Sequence, residues 1–301
     1  MRSPDSYPAR SQPIAPESDE RLFFLLEAAL KEDIGDGDHS TLCCIPPDAR
    51  GKAVLKIKQA GIMAGMDIAE KILRHKEPSA LFTAFKEDGR PMQAGEKAFE
   101  AEAGIHTLLQ CERLILNCMQ RMSGIATLTR QYVDRLQGYH TRVLDTRKST
   151  PNFRLLEKEA VRIGGGVNHR FGLFDMIMLK DNHIDFCGGI ETAIGEAIRY
   201  RDESRPELKI EVETRSLDDV RRVLSTGGVD RIMLDNFTPR QVEDALTLIG
   251  GRYETEASGG IHLDNIEEYA RTGVDFVSIG ALIHQAQSLD MSLKALVIPH
   301  S

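Results

Sequence analysis

The 301-residue chain is short of the means for several functions. Its five cysteines (Cys43, Cys44, Cys111, Cys118 and Cys187) contain no CxxC pair and are odd in number. That excludes a zinc ribbon and a complete disulfide framework, and fits reduced thiols in a cytoplasmic protein. No apolar run approaches membrane-spanning length. The start, Met1–Glu20, is rich in Ser, Pro and charge and has no apolar stretch such as a signal peptide needs, so residues 1–20 read as a loose tail. Basic residues are in deficit: 38 Lys+Arg against 46 Asp+Glu leave a formal charge of -8, which argues against nucleic acid or an anionic membrane as partner. No GxGxxG follows a strand pattern either, and the triple glycine Gly164–Gly166 reads as a flexible active-site loop instead of a dinucleotide fingerprint.

What is present is an ordinary globular balance, 41% hydrophobic and 28% charged, able to bury a large core. The length suits one α/β barrel, or a barrel with a companion domain, and the pattern favours the second. Arg21 to Leu30 reads as a docking helix, followed by the acidic turn Asp33 to Asp38. Lys52–Lys58, Leu81–Phe85 and Ala98–Ala101 alternate as strands do. A long helical stretch, His106 to Met122, breaks near Ser123-Gly124 and resumes through about Leu136. The expected division is therefore a small α+β domain over 21–122 and a second domain over 123–284, with 285–301 left over at the C-terminal end.

In that second part short apolar runs alternate with amphipathic segments, the rhythm of a parallel sheet. The runs are Arg142–Leu144, Met176–Leu179, Ile210–Val212, Arg231–Leu234, Tyr253–Ala257 and Phe276–Ile279. They close most naturally into a barrel, although an open doubly wound sheet gives a similar pattern. Each run ends in charge, polarity or glycine: Asp145 to Lys148, Lys180 to His183, Glu213-Thr214, Asp235-Asn236, Ser258 to Gly260, and Gly280-Ala281. In a parallel barrel those ends share one rim, where barrel enzymes place their active sites.

The basic members, Arg147, Lys148 and Lys180 with His169 and Arg170, oppose the sign of the whole chain. Gathering cations in one mouth suits a site filled by anions, which arginine grips in bidentate fashion. The competing explanation is surface ion pairing with Glu157, Glu159 or other nearby acids. Glu213 and Asp235 suit Mg2+, held directly or through water, or ribose hydroxyls; their alternative role is to neutralise Lys148 and Lys180 in a structural ion-pair network. Ser258, Gly259 and Gly260, with Gly280 and Ala281, suit a phosphate cradle of backbone N–H groups.

In combination and order, Asp145-Thr146-Arg147-Lys148-Ser149-Thr150-Pro151, Gly164–Gly166 with His169-Arg170, Leu179-Lys180-Asp181-Asn182-His183, Glu211-Val212-Glu213, Leu234-Asp235-Asn236 and Ser258-Gly259-Gly260 closely resemble the quinolinate phosphoribosyltransferases. The resemblance extends to Glu112-Arg113 and Ser123–Thr127, and covers nearly the whole chain after the tail. It implies conversion of quinolinate and 5-phosphoribosyl 1-pyrophosphate (PRPP), with Mg2+, to nicotinate mononucleotide, pyrophosphate and carbon dioxide in NAD biosynthesis. It also implies an N-terminal α/β sandwich domain over 21–122, with the C-terminal 285–301 packing back on it, and an incomplete parallel α/β barrel of fewer than eight strands over 123–284. The assembly it implies is a homodimer or a hexamer whose barrel mouths face the partner's N-terminal domain. By the resemblance, Arg147, His169, Arg170 and Lys180 hold the two quinolinate carboxylates, with Arg113 arriving from the neighbouring subunit. Lys148 lies near the pyrophosphate; Glu213 and Asp235 serve ribose and metal; Ser258, Gly259, Gly260 and Gly280 cradle the 5-phosphate. Ser149 stands where the family more commonly has Thr.

Three rival readings are a related transferase acting on another acid, a Schiff-base aldolase using Lys148 or Lys180, and a non-catalytic anion-binding protein.

Overall fold

The computed structural model describes residues 18–296. The first part runs α1 (Ser18–Ile34), α2 (His39–Cys44), β1 (Arg50–Ile57), β2 (Gly61–Ile62), α3 (Met66–Lys76), β3 (Leu81–Ala84), β4 (Pro91–Met92), β5 (Lys97–Gly104) and α4 (Ile105–Arg135). The second runs β6 (Arg142–Leu144), α5 (Arg154–Gly164), β7 (Ile177–Leu179), α6 (Asp181–Cys187), α7 (Ile190–Ser204), β8 (Ile210–Thr214), α8 (Leu217–Thr226), β9 (Arg231–Asp235), α9 (Pro239–Ile249), β10 (Glu254–Ser258), α10 (Ile266–Arg271), β11 (Phe276–Ser278), α11 (Ala281–His284) and β12 (Met291–Leu296).

Residues 18–20, expected in the tail, form the first turn of α1, where Asp19 and Glu20 complement the positive end of the helix dipole. The rest of the tail, residues 1–17, lies outside the described residues. So does 297–301 of the segment expected to pack back on the first domain.

The N-terminal sheet is antiparallel, in the order β12-β1-β5-β3. Along β5, Phe99, Ala101 and Ala103 are buried while Glu100 and Glu102 are partly exposed, the alternation of a sheet with one face on a core. Strand β12 closes the sheet against β1 with Leu293 opposite Leu55.

Helix α4 is continuous, so the break expected at Ser123-Gly124 does not occur. Both residues are small because other backbone passes close by. The Ser123 hydroxyl donates to the Ala64 carbonyl at 3.2 Å and accepts the Ala64 N–H at 3.1 Å. A Cβ on Gly124 would fall 2.0 Å from the Gln287 carbonyl oxygen.

The second sheet is parallel, six strands in the order β6-β11-β10-β9-β8-β7. Val143, Val212, Ile232, Leu234, Ala257 and Val277 are buried along it, the apolar runs that parallel strands need when both faces are covered. Its edge strands β6 and β7 do not pair. Instead Val167 bridges to Leu144 in parallel and donates its amide to the Val143 carbonyl at 2.8 Å. The segment containing Val167 thus covers the free edge of β6. Its neighbour His169 reaches across to carboxylates on β8 and β10, contacts possible only if the sheet curls into an incomplete barrel.

The triple glycine is packed, contrary to the flexible loop expected. A Cβ on Gly164 would lie 2.6 Å from Thr129 Cβ and 2.7 Å from the Ala126 carbonyl oxygen, so these glycines let α5 end hard against α4. No described helix is long and apolar enough to cross a membrane.

Candidate active site

The strand register brings the sequence-predicted residues together. Leu144 of β6 pairs with Ser278 of β11, Ser278 with Ser258 of β10, and Ser258 with Asp235 of β9. Leu234 pairs with Thr214 of β8, and Val212 with Leu179 of β7, so Lys180 and Glu213 follow at one level. Six strand ends therefore present Arg147, Lys148, Lys180, Glu213, Asp235, Ser258 to Gly260, and Gly280-Ala281 on one rim. Arg113 is elsewhere: it lies on an exposed stretch of α4.

None of Arg147, Lys148, Arg170 or Lys180 is ion-paired among the described residues. The acids that could have neutralised them are engaged otherwise. Glu157 holds Arg121 at 2.9 Å, and Glu159 holds Arg162. Arg170 is buried, with one guanidinium nitrogen 3.1 Å from the Met176 carbonyl, and its pKa is lowered by burial and then by the like charge of Arg147. The Arg147 Nε is itself buried without a hydrogen-bond partner. Two neighbouring guanidinium groups, neither in a salt bridge among the described residues, form a site for an anion.

Among the carboxylates, Glu213 has its pKa raised by burial and by repulsion from Asp235, and lowered in part by Lys180. Two oxygen-donor carboxylates that repel each other at one rim suit Mg2+, which relieves the repulsion. Next to them, Asn236 adopts φ +58° and donates its amide N–H to the Ser258 carbonyl at 2.7 Å. Gly259, at φ +89°, must be glycine: a Cβ there would fall 2.2 Å from Asn236 Oδ1. Left-handed Gly259 and Gly260 turn successive backbone N–H groups in the manner of an anion nest. Lys148 extends over the next strand end, its Cδ 3.1 Å from where a Gly280 Cβ would be.

Below the rim the barrel interior is charged. The His169 ring sits 3.0 Å from Glu211 and 3.3 Å from Glu256, both fully buried, and Arg231 lies 3.2 Å from Glu256. Burial alone would lower the His169 pKa, but the two carboxylates carry it up to about 9. Its Nδ1 also faces the Arg170 amide at 2.7 Å, an arrangement that needs an unprotonated nitrogen. Burial, and then repulsion from Glu256, raise the Glu211 pKa to about 7, so the cluster shares its protons between the ring and that carboxylate. His169, Glu211 and Glu256 could geometrically hold a metal ion. Arg231 lies 3.2 Å from Glu256 and 3.9 Å from Glu211, so positive charge already reaches both carboxylates without one.

Residues 38–123 match the family "Quinolinate phosphoribosyl transferase, N-terminal domain", and residues 125–294 match its C-terminal domain. The chain belongs to the quinolinate phosphoribosyltransferase family. "Quinolinate phosphoribosyltransferase [decarboxylating] 1b" of Nicotiana tabacum is 40% identical over 285 residues, 90% of this chain and 81% of its own. A probable nicotinate-nucleotide pyrophosphorylase [carboxylating] of Methanothermobacter thermautotrophicus is 39% identical over 90% of this chain and 97% of its own. The crystal structure of NadC from Streptococcus pyogenes superposes with a TM-score of 0.86 at 39% identity, covering 95% of this chain and all of that one (100%).

Within this quinolinate phosphoribosyltransferase fold several supporting residues escape sequence reasoning. Glu211 and Glu256 alternate with apolar or uncharged residues two positions from Glu213 and Glu254, and Arg231 opens β9, so the register and the Arg231 contacts bring all three together in the barrel interior. Glu157 is fully buried and accepts the Thr150 N–H at 2.7 Å, locking the loop after β6. Ser149, the departure from the family pattern, accepts from Arg154 Nε at 2.8 Å, a contact its hydroxyl suffices to make.

Proposed function

We propose that the protein joins quinolinate to PRPP, releasing pyrophosphate and carbon dioxide and leaving nicotinate mononucleotide, a step of NAD biosynthesis. The observation that carries this reading is the pair Arg147 and Arg170, close enough to repel and without a carboxylate partner among the described residues. With Lys180, and Arg113 from a partner subunit, they would grip the two carboxylates of the diacid. The His169 ring, directed at Glu211 and Glu256, lies beneath that pocket. Family membership supports the substrates.

At the other half of the rim, Glu213 and Asp235 would hold the ribose hydroxyls and Mg2+, and Lys148 would meet the pyrophosphate. Ser258, Gly259, Gly260, Gly280 and Ala281 would cradle the 5-phosphate on backbone N–H groups. Mg2+ bound there supplies positive charge that favours departure of pyrophosphate. As the bond from ribose C1 to the pyrophosphate oxygen breaks, the sugar gains oxocarbenium character, which the Glu213 and Asp235 carboxylates stabilise. The held pyridine nitrogen supplies the electron pair of the new bond to C1. The ring nitrogen, now positive, accepts the electrons left at ring carbon 2 when that carboxylate leaves as carbon dioxide, and a proton replaces it.

The shared site calls for a homodimer, or dimers assembled into a hexamer, and the free thiols suit a cytoplasmic setting. Incubation with quinolinate, PRPP and Mg2+ should release pyrophosphate and carbon dioxide in equal amounts, with nicotinate a poor acceptor. Pyrophosphate release with nicotinate but not quinolinate would overturn the reading. Mixed dimers of Arg113→Ala and Lys180→Ala should regain activity that neither variant has alone. Failure to complement would remove the shared site.

A further inference from the structure

Lys158 lies on α5, outside the rim, and is 1% exposed. A lysine buried so deeply, beside a Glu157 that already has Arg121 and Thr150 as partners, requires a reason of its own. Its ammonium donates to Asp145 Oδ1 at 2.5 Å and to the His169 carbonyl at 3.0 Å. The same Asp145 oxygen accepts the His169 amide at 2.8 Å. Turned so that its nitrogen faces these acceptors, the Asn168 side-chain amide donates to Asp145 Oδ2 at 2.7 Å and to the Lys158 carbonyl at 2.9 Å. Asp145 stands two residues before Arg147 at the end of β6, and His169 one residue before Arg170. One buried ion pair therefore ties together the two chain segments that carry the unpaired guanidinium groups.

Stability does not account for the pair. Burial raises the Asp145 pKa and lowers that of Lys158, so both charges are held at a penalty. Apolar residues of similar volume usually serve a core as well or better. What apolar residues cannot do is fix two loops at a set spacing through directed hydrogen bonds.

We propose that Lys158 is a positioning residue for the acceptor acid: through Asp145 and the His169 carbonyl it sets the separation of Arg147 and Arg170, and so their fit to two carboxylates. This rests on the quinolinate reading. It makes selectivity for a diacid depend on a side chain that touches no substrate.

The test is steady-state kinetics and thermal melting of Lys158→Met, of Lys158→Met combined with Asp145→Asn, and of Asn168→Ala. Lys158→Met should raise KM for quinolinate roughly tenfold to a hundredfold, as misplaced binding groups do, while KM for PRPP stays within about twofold. The double variant removes the orphaned buried charge, so its melting temperature should recover while the quinolinate defect persists. Asn168→Ala, a partly exposed loop change, should raise the same KM by a smaller factor with little loss of stability, and it decides the matter if neither Lys158 variant folds. Parallel rises in both KM values, an unchanged quinolinate KM, or a double variant that regains quinolinate KM together with stability would overturn the proposal. A wild-type protein that releases no pyrophosphate from quinolinate and PRPP would instead overturn the underlying function.

Discussion

The aliphatic stem of Lys148 lies over Gly280, so close that a methyl group on Gly280 would come within 3.1 Å of Lys148 Cδ and 3.2 Å of His284 Nε2. Two strand ends far apart in sequence, those of β6 and β11, are thereby in contact at the phosphate half of the rim. Gly280 has φ -66°, which any residue can adopt, so Gly280→Ala is opposed by this contact alone. The variant should shift Lys148 and raise KM for PRPP on the order of threefold to tenfold, or about 1 kcal/mol, with quinolinate KM and melting temperature nearly unchanged. An unaltered PRPP KM would separate Lys148 from that substrate.

Gly124 presents a harder contact, because its missing side chain leaves room for backbone. With the Gln287 carbonyl 2.0 Å from the added Cβ, Gly124→Ala must displace the segment leading to β12. The expected loss is about 1–3 kcal/mol, seen in thermal melts as a drop of several degrees. A rise in melting temperature, as helix propensity alone would give, would contradict the packing described.

The pH dependence of stability follows from the charged interior. His169 has a folded-state pKa carried up to about 9 against an ordinary 6.5, so its contribution is fully present below about pH 6.5 and is lost as pH rises through 9. Melting temperature should fall over that window, and His169→Gln should flatten the fall while lowering stability at pH 6. An identical profile for wild type and variant would show that the ring carries no charge between Glu211 and Glu256.

The sequence makes the parallel sheet legible because strands buried on both faces must be apolar, as Arg231–Asp235 is in all but its ends. The rim is legible for a related reason, since polarity after such a run has nowhere to go but the mouth. Gly124 misleads because helix propensity treats glycine as a stop, whereas here a tertiary contact through Gln287 decides. Lys158 and Glu157 hide because charged residues in an amphipathic helix ordinarily mark its wet face; only the three-dimensional path of residues 168–169 shows the contacts of Lys158, and only the approach of Arg121 and Thr150 shows those of Glu157. The gap between β6 and β7, closed by Val167, is equally invisible, because one bridging residue leaves no periodic pattern.

The central claim is that unpaired cations converge to hold two carboxylates at once, and the most direct measurement is calorimetric titration of quinolinate and of nicotinate into wild type and Arg170→Ala. Wild type should bind the diacid far more tightly than the monoacid. Arg170→Ala should weaken quinolinate binding by about 2–5 kcal/mol, as for loss of a buried charge partner, and nearly erase the preference. Equal affinity of wild type for the two acids, or near-normal quinolinate binding by Arg170→Ala, would contradict the account.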